Sequence, residues 1–259
     1  MPDSRVSSET KNNISIITIN NPPVNSLSSK VIEDLDTALT YALADKNSKC
    51  ILITGYGQKS FASGADIREL ETLGEKSAIS LLTRVKEVLG KILACPKPTI
   101  AAINGHALGG GLELALHCDF RLAVEKAKLG LPEINLGVMP AAGGTQLLPE
   151  LIGMARARWL LLSGEMISAQ RALEIGLIDR LAENNSLLTE AAEMCEALSA
   201  KPPLAYHAIK KALDAGREVP FSYALREETD LFGRLCATQD KAEGIRAFLE
   251  KRPPRFTGR

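Results

Sequence analysis

A chain of 259 residues with 45% hydrophobic content suits one α/β domain plus a helical extension. Lys and Arg (31) balance Asp and Glu (31), so no excess positive charge is available to neutralise a phosphate backbone, and nucleic acid is disfavoured as the main partner. Three histidines without HExxH, CxxC or paired-histidine spacing give no protein-built metal site, and five scattered cysteines, mostly in apolar segments, suit a reducing compartment such as the cytoplasm.

The opening through Asn12 is polar and lacks the apolar core of a secretory signal, and no apolar run approaches a membrane span. Ile14 to Ile19 predicts a strand stopped by Asn20-Asn21-Pro22-Pro23. Ser28 or Ser29 would then cap a helix running through Val31, Leu35, Leu39 and Leu43. Cys50 to Thr54 predicts a short buried strand, followed by a loop from Ser60 to Asp66. A helical region spans about Ile67 to Leu93, interrupted near Gly74 and ended by Pro96 and Pro98. Its segment Thr83 to Lys91 carries Arg84, Lys86 and Lys91, with Glu87 breaking the basic run.

Thr99 to Ile103 and Asp119 to Ala123 predict two further strands. Strands alternating with helices indicate an α/β core with largely parallel strands, in which ligands gather where strand ends meet helix starts. Beyond about Leu147 the strand signals fade. Helical patterns dominate there, with Pro202-Pro203 and Pro253-Pro254 as boundaries, so residues 1–195 form the expected core and 196–259 a helical C-terminal region.

Three segments carry candidate chemistry. The first is the run Gly105 to Leu114, with Gly109, Gly110 and Gly111 at the mouth of a helical pattern. Glycine lets backbone N–H groups approach a ligand closely, and a helix start adds unsatisfied donors, which together favour an anion or a developing oxyanion. Gly110 and Glu113 are three apart and share a helix face, pairing a backbone donor with a base. A simpler reading is a tight helix–strand turn with Glu113 solvated. GxGxxG spacing and a Gly-Lys-Ser/Thr ending are both missing, so neither a dinucleotide site nor a P-loop is supported.

The second segment is Ser60-Phe61-Ala62-Ser63-Gly64-Ala65-Asp66-Ile67, where small residues permit close main-chain approach and Asp66 is placed to cap a helix. The third is Gly130-Leu131-Pro132-Glu133, followed by Ala141-Ala142-Gly143-Gly144-Thr145. Glu133 sits in an apolar neighbourhood, where a carboxylic acid tends to hold its proton as a general acid must.

Taken together, these segments resemble the crotonase family, the enoyl-CoA hydratase/isomerase superfamily, from Asn20 to Arg252. The resemblance implies an α/β fold: a crotonase-like ββα spiral core with a helical C-terminal trimerisation region, assembled as a homotrimer or homohexamer. It implies an acyl-CoA thioester substrate, with CoA as part of the substrate and no separate cofactor. The N–H groups of Ala65 and Gly110 match the family's oxyanion hole, where one such donor is typically worth about 3 to 4 kcal/mol of barrier. Glu113 and Glu133 match the two glutamates of the hydratase branch. On that match Glu113 orients and deprotonates water for C3, and Glu133 protonates C2.

The same resemblance places backbone at Ser63, Ala65 and Ile67 near the adenine end of CoA, and Lys59 and Arg68 near its phosphates. Asp66, Gly109, Pro132 and Ala141 join the substrate contacts, and Phe232, Phe248 and Lys251 wall the acyl and pantetheine channel or approach phosphate. Two positions depart from the family pattern. Pro23-Val24-Asn25 lacks a lysine often found in this turn, and Ala141 replaces a frequent glycine, so its methyl would narrow the pocket or require a different local φ. Other branches of the resemblance are a Δ3-Δ2-enoyl-CoA isomerase using the Glu133 position alone, a hydratase of a substituted enoyl-CoA of methylglutaconyl or feruloyl type, and an RNA-binding homologue.

Overall fold

The computed structural model describes residues 4–183 and 185–259. The chain forms two compact units, one through Cys95 and over Thr99–Cys195, the other over Pro96–Pro98 and Glu196–Arg259.

The first unit begins with β1 (Val6–Lys11), β2 (Ile14–Ile19), α1 (Ser29–Ala44), β3 (Cys50–Gly55) and β4 (Ser60–Ala62). It continues through α2 (Ile67–Glu71), α3 (Glu75–Leu93), β5 (Thr99–Ile103), β6 (His106–Leu108), α4 (Gly110–Leu116), β7 (Phe120–Val124) and β8 (Lys128–Gly130). A 3-10 turn (Pro132–Leu136), α5 (Gly144–Ile152), α6 (Met154–Ser163), β9 (Met166–Ser168), α7 (Ala169–Glu174) and β10 (Arg180–Ala182) follow, and α8 spans Leu187–Ser199. The second unit carries α9 (Pro203–Glu218), α10 (Phe221–Cys236) and α11 (Gln239–Leu249).

A six-stranded sheet has the order β1-β2-β3-β5-β7-β10, and a four-stranded sheet the order β4-β6-β8-β9. From β2 to β10 the larger sheet is parallel, and only β1 runs antiparallel in it. Three successive pairs, β3–β4, β5–β6 and β7–β8, each send their first strand to the larger sheet and their second to the smaller one. This repetition is the spiral. The central strands are buried on both faces, which is why Cys50–Thr54 and Thr99–Ile103 read as continuous apolar runs.

Several strands escape the sequence pattern. β1 buries Val6 alone and exposes five polar residues, so the polar opening is an edge strand rather than a tail without structure. The expected loop from Ser60 begins as β4, and β6 lies inside the glycine-rich run. β9 and β10 break the expectation of helices alone beyond Leu147. All but β1 are three residues long, too short for a period of two to register. The strand expected over Asp119 to Ala123 lies one residue later, at β7, because the Asp119 side chain instead accepts from the backbone and hydroxyl of Thr99 at 2.8 and 2.9 Å.

Ser28 caps α1, its hydroxyl accepting from the Val31 N–H. Gly74 separates α2 from α3, as the interruption in the pattern predicts. Arg121, 4% exposed, donates to the Cys118 carbonyl at 2.7 Å and to the Leu177 carbonyl at 2.9 Å, satisfying a carbonyl just beyond α4. Among the described residues no helix is long and apolar enough to cross a membrane, and no cluster of His, Cys, Asp or Glu could hold a metal ion.

Candidate active site

The loop after β4 is held from behind. The Leu27 N–H donates to the Gly64 carbonyl at 2.7 Å, and Leu27 forms an isolated parallel bridge with Ala65. Gly64 C=O and Ala65 N–H belong to one planar peptide group and point in opposite directions. Fixing the carbonyl therefore aims the Ala65 N–H away from Leu27, and Ala65 is exposed. Asp66 ends the loop by capping α2, its carboxylate accepting from the Arg68 N–H at 2.9 Å.

Two asparagines brace the chain ahead of this loop. Asn25, buried and at φ +55°, donates to the carbonyls of Ser60 (2.8 Å) and Tyr56 (3.1 Å) and accepts from the Asn21 N–H at 3.1 Å. Asn104 accepts from the Gly55 N–H at 3.0 Å and donates to the Gly57 carbonyl at 2.8 Å.

The glycine run is fixed in the same manner. The Gly109 N–H donates to the Gly130 carbonyl at 2.9 Å, and the Gly109 carbonyl accepts from Leu112 (2.8 Å) and Glu113 (3.0 Å). The opposite side of that peptide is the Gly110 N–H. A Cβ built on Gly64 would lie 3.2 Å from Gly110 N, and one built on Gly110 would lie 3.8 Å from Ala65 N, so the two amide-bearing segments abut. At Gly111 a Cβ would overlap the Ala62 carbonyl, which explains how α4 packs directly on β4. Gly109 adopts φ +53°, and a Cβ there would stand 2.8 Å from Glu133 Oε1.

Both glutamates arrive at this point. Glu113 is 3% exposed, which overturns the reading of it as a solvated helix charge. Its Oε1 accepts from the N–H groups of Ala142 and Gly144, each at 2.8 Å. Burial pushes the Glu113 carboxyl above the ordinary carboxylate range, while the Gly144 and Ala142 donors and the charge of Lys86 pull the other way. Glu133 lies on the 3-10 turn and is half-buried, and its Oε2 is buried without a hydrogen-bond partner among the described residues. Burial pushes its carboxyl up to about 7; its own backbone amide opposes the rise and the charge of Glu113 adds to it.

The remaining expected contacts fall in two groups. Lys59, Ile67 and Arg68 are exposed around the Ser63–Asp66 loop, and Lys59 and Arg68 make no ion pair among the described residues. Pro132 opens the 3-10 turn, and Ala141 is half-buried with a φ outside the left-handed region, so its methyl is accommodated without backbone strain. In the second unit Phe232 (α10), Phe248 (α11) and Lys251 are exposed. The donors Ala142 and Gly144 and the backbone clamp from Leu27 were not singled out by sequence reasoning. The pair Gly143-Gly144 was the available signal, since a Cβ on Gly144 would come within 3.0 Å of Glu113 Oε1.

Comparison with known proteins places the chain by sequence and by fold. The family model described as enoyl-CoA hydratase/isomerase matches residues 9–259. A crotonyl-CoA hydratase of Syntrophomonas wolfei is 39% identical over 96% of either chain. A 2,3-dehydroadipyl-CoA hydratase of Escherichia coli K12 is 41% identical over 94% of this chain and 95% of its own. A crystal structure of enoyl-CoA hydratase from Bacillus anthracis superposes with a TM-score of 0.93 at 37% identity, covering 98% of this chain and all of the other. The family match over nearly the whole chain and the full-length similarity show that the chain belongs to the enoyl-CoA hydratase/isomerase family.

Proposed function

We propose that the chain adds water reversibly across the double bond of a short-chain 2-trans-enoyl-CoA to give the 3-hydroxyacyl-CoA. The observation that carries this reading is the contrast between two carboxyls beside one pair of convergent amides. Glu113 has two backbone donors on Oε1, which favour its anion and leave Oε2 for a water. Glu133 has an unpartnered buried oxygen and a raised pKa, which favour its neutral acid. In the hydration direction Glu113 takes a proton from water as the hydroxyl joins C3, Glu133 gives its proton to C2, and the N–H groups of Ala65 and Gly110 hold the thioester oxygen while it carries enolate charge. Dehydration reverses each transfer. The reaction draws on no cofactor beyond the CoA carried by the substrate.

An isomerase that moves a proton between C4 and C2 needs the Glu133 position alone, and the buried, doubly hydrogen-bonded Glu113 favours hydration over it. Lys59, Ser63, Asp66, Ile67 and Arg68 are proposed to receive the CoA nucleotide. The second unit is proposed as the trimerisation region of a cytoplasmic homotrimer or homohexamer. Its exposed apolar side chains, including Leu213, Phe221, Phe232, Phe248 and Leu249, support that role, and light scattering of the intact protein measures the oligomeric state.

The test follows enoyl-CoA absorbance with a panel of acyl chains. Glu113→Gln and Glu133→Gln are each expected to lower kcat by about 10²–10⁴-fold without changing the oligomer. Wild-type turnover by either variant would remove the two-glutamate assignment. Consumption of 3-enoyl-CoA alone would replace hydration with isomerisation.

A further inference from the structure

The C-terminal end of α4 is closed by side chains rather than by further helix. The His117 N–H turns to the Leu114 carbonyl at 3.2 Å, so the Glu113 carbonyl loses the amide that a continuing helix would give it. The His117 ring replaces that amide, with Nδ1 2.8 Å from the Glu113 carbonyl oxygen. A carbonyl only accepts, so Nδ1 carries the proton. The side chain is buried, and its far edge packs against Gly143: a Cβ built there would stand 2.8 Å from His117 Cε1 and 3.3 Å from Nε2. Gly143, at φ +109°, lies between the two residues whose amides hold Glu113 Oε1, Ala142 and Gly144, each at 2.8 Å. Its carbonyl accepts from Gln146 (3.0 Å) and Leu147 (2.9 Å), so the Gly144 N–H of the same planar peptide points the other way, at the glutamate. One ring therefore touches the main chain of Glu113 and the segment that cradles its carboxylate.

We infer that His117 is a positioning residue for water addition, fixing the Glu113 carboxylate and its two amide donors in one geometry. The inference rests on the hydratase reading and adds a residue to it. Glu113 must present Oε2 to a water while Oε1 stays in its cradle, and a displacement of about 1 Å in such a group can cost about 10²-fold in rate. The imidazole acts on both sides of that arrangement. Through Nδ1 it holds the last turn of a seven-residue helix, whose buried Glu113 carbonyl is costly to leave without a donor. Through its far edge it occupies the space beside Gly143, which keeps the Ala142–Gly144 turn at its distance from α4. Gly110, which carries one of the two oxyanion amides, lies at the opposite end of α4, so the role concerns the base rather than the thioester oxygen.

The experiment measures hydration of crotonyl-CoA by the intact protein and its variants, with circular dichroism as the check on folding. His117→Ala removes both contacts and is expected to lower kcat by about 30-fold while KM stays within about twofold of wild type. His117→Asn keeps an N–H near the place of Nδ1 and should bring kcat back to within about fivefold of wild type. His117→Leu keeps the bulk without the donor and should recover less than His117→Asn. Added to Glu113→Gln, His117→Ala should cost less than about twofold more, because the imidazole acts through Glu113. Rescue by His117→Leu and not by His117→Asn would make the ring a packing element only and overturn the inference. An equal loss from His117→Ala with and without Glu113→Gln would do the same. Where His117→Ala fails to fold, the comparison of His117→Asn with His117→Leu decides alone. Normal kcat in His117→Ala beside a slow Glu113→Gln would overturn this inference and leave the hydratase reading standing. Wild-type turnover by Glu113→Gln would remove the base and this inference with it.

Discussion

The segment from Ala142 to Gly144 and the 3-10 turn at Pro132–Leu136 each serve one glutamate, and they do so oppositely. The first surrounds Glu113 with backbone donors in a buried setting. The second holds the Glu133 carboxyl against Gly109 with Oε2 unpartnered. Burial raises both pKa values, but only Glu113 has main-chain donors from another segment working against the rise. Two side chains of one chemical type thus acquire different protonation preferences from what the local main chain offers them.

The largest expected effect comes from closing the gap beside Glu133. Gly109→Ala puts a methyl 2.8 Å from Glu133 Oε1 at a residue with φ +53°, and kcat should fall by about 100-fold or more while circular dichroism stays native-like. Near-normal turnover would show that Glu133 does not need its present position.

A smaller effect concerns pH. The pair must hold a single proton to react in either direction, so kcat/KM should follow a bell. Its basic limb falls through about pH 7 as Glu133 loses its proton, and its acidic limb is set by protonation of Glu113. Because hydration takes up no proton overall, dehydration of the 3-hydroxyacyl-CoA must show the same bell. A profile flat from pH 6 to 9 would erase the distinction between the two carboxyls.

The smallest effect is on stability. A carboxyl whose folded pKa is raised keeps its proton in the native state after the unfolded chain has lost it, so stability falls as pH rises from about 4.5 to about 7 and is then level. Glu133→Gln removes this contribution. Its unfolding free energy relative to wild type, read from urea denaturation, should therefore be higher at pH 8 than at pH 5, by an amount on the order of 1 kcal/mol after discounting for solvent screening. An equal difference at both pH values would place Glu133 in a more solvated state than its burial implies.

Much of the architecture is legible in the residues. Apolar runs at Ile14–Ile19, Cys50–Thr54 and Thr99–Ile103 mark strands because parallel strands buried on both faces need no polar alternation. Ser28 and Asp66 announce helix starts through their own side chains. β4, β6, β9 and β10 stay hidden because three residues carry no period, and β1 because it buries only Val6.

The candidate site divides along the same line. Gly109-Gly110-Gly111 and Glu113 stand together because they are local in sequence, and Ala65 and Glu133 are reached through motif resemblance. The bonds from Ala142 and Gly144 to Glu113, and from Leu27 to Gly64, join residues about thirty or more apart, and no local pattern encodes them. The basic stretch of α3 is similar. Arg84, Lys86 and Lys91 are alike in sequence, and only packing against α1, with Glu33 and Asp36 at its surface, separates the paired cations from Lys86.

By itself the sequence determined the buried strands, the glycine-lined amides, the two glutamates and the family. Only the tertiary structure decided which glutamate is held by backbone donors, which glycine makes room for the other, and which lysine remains unpaired. The physical reason is that periodicity and motif record each residue's own chemistry, whereas protonation and pairing depend on neighbours that the fold brings from distant parts of the chain.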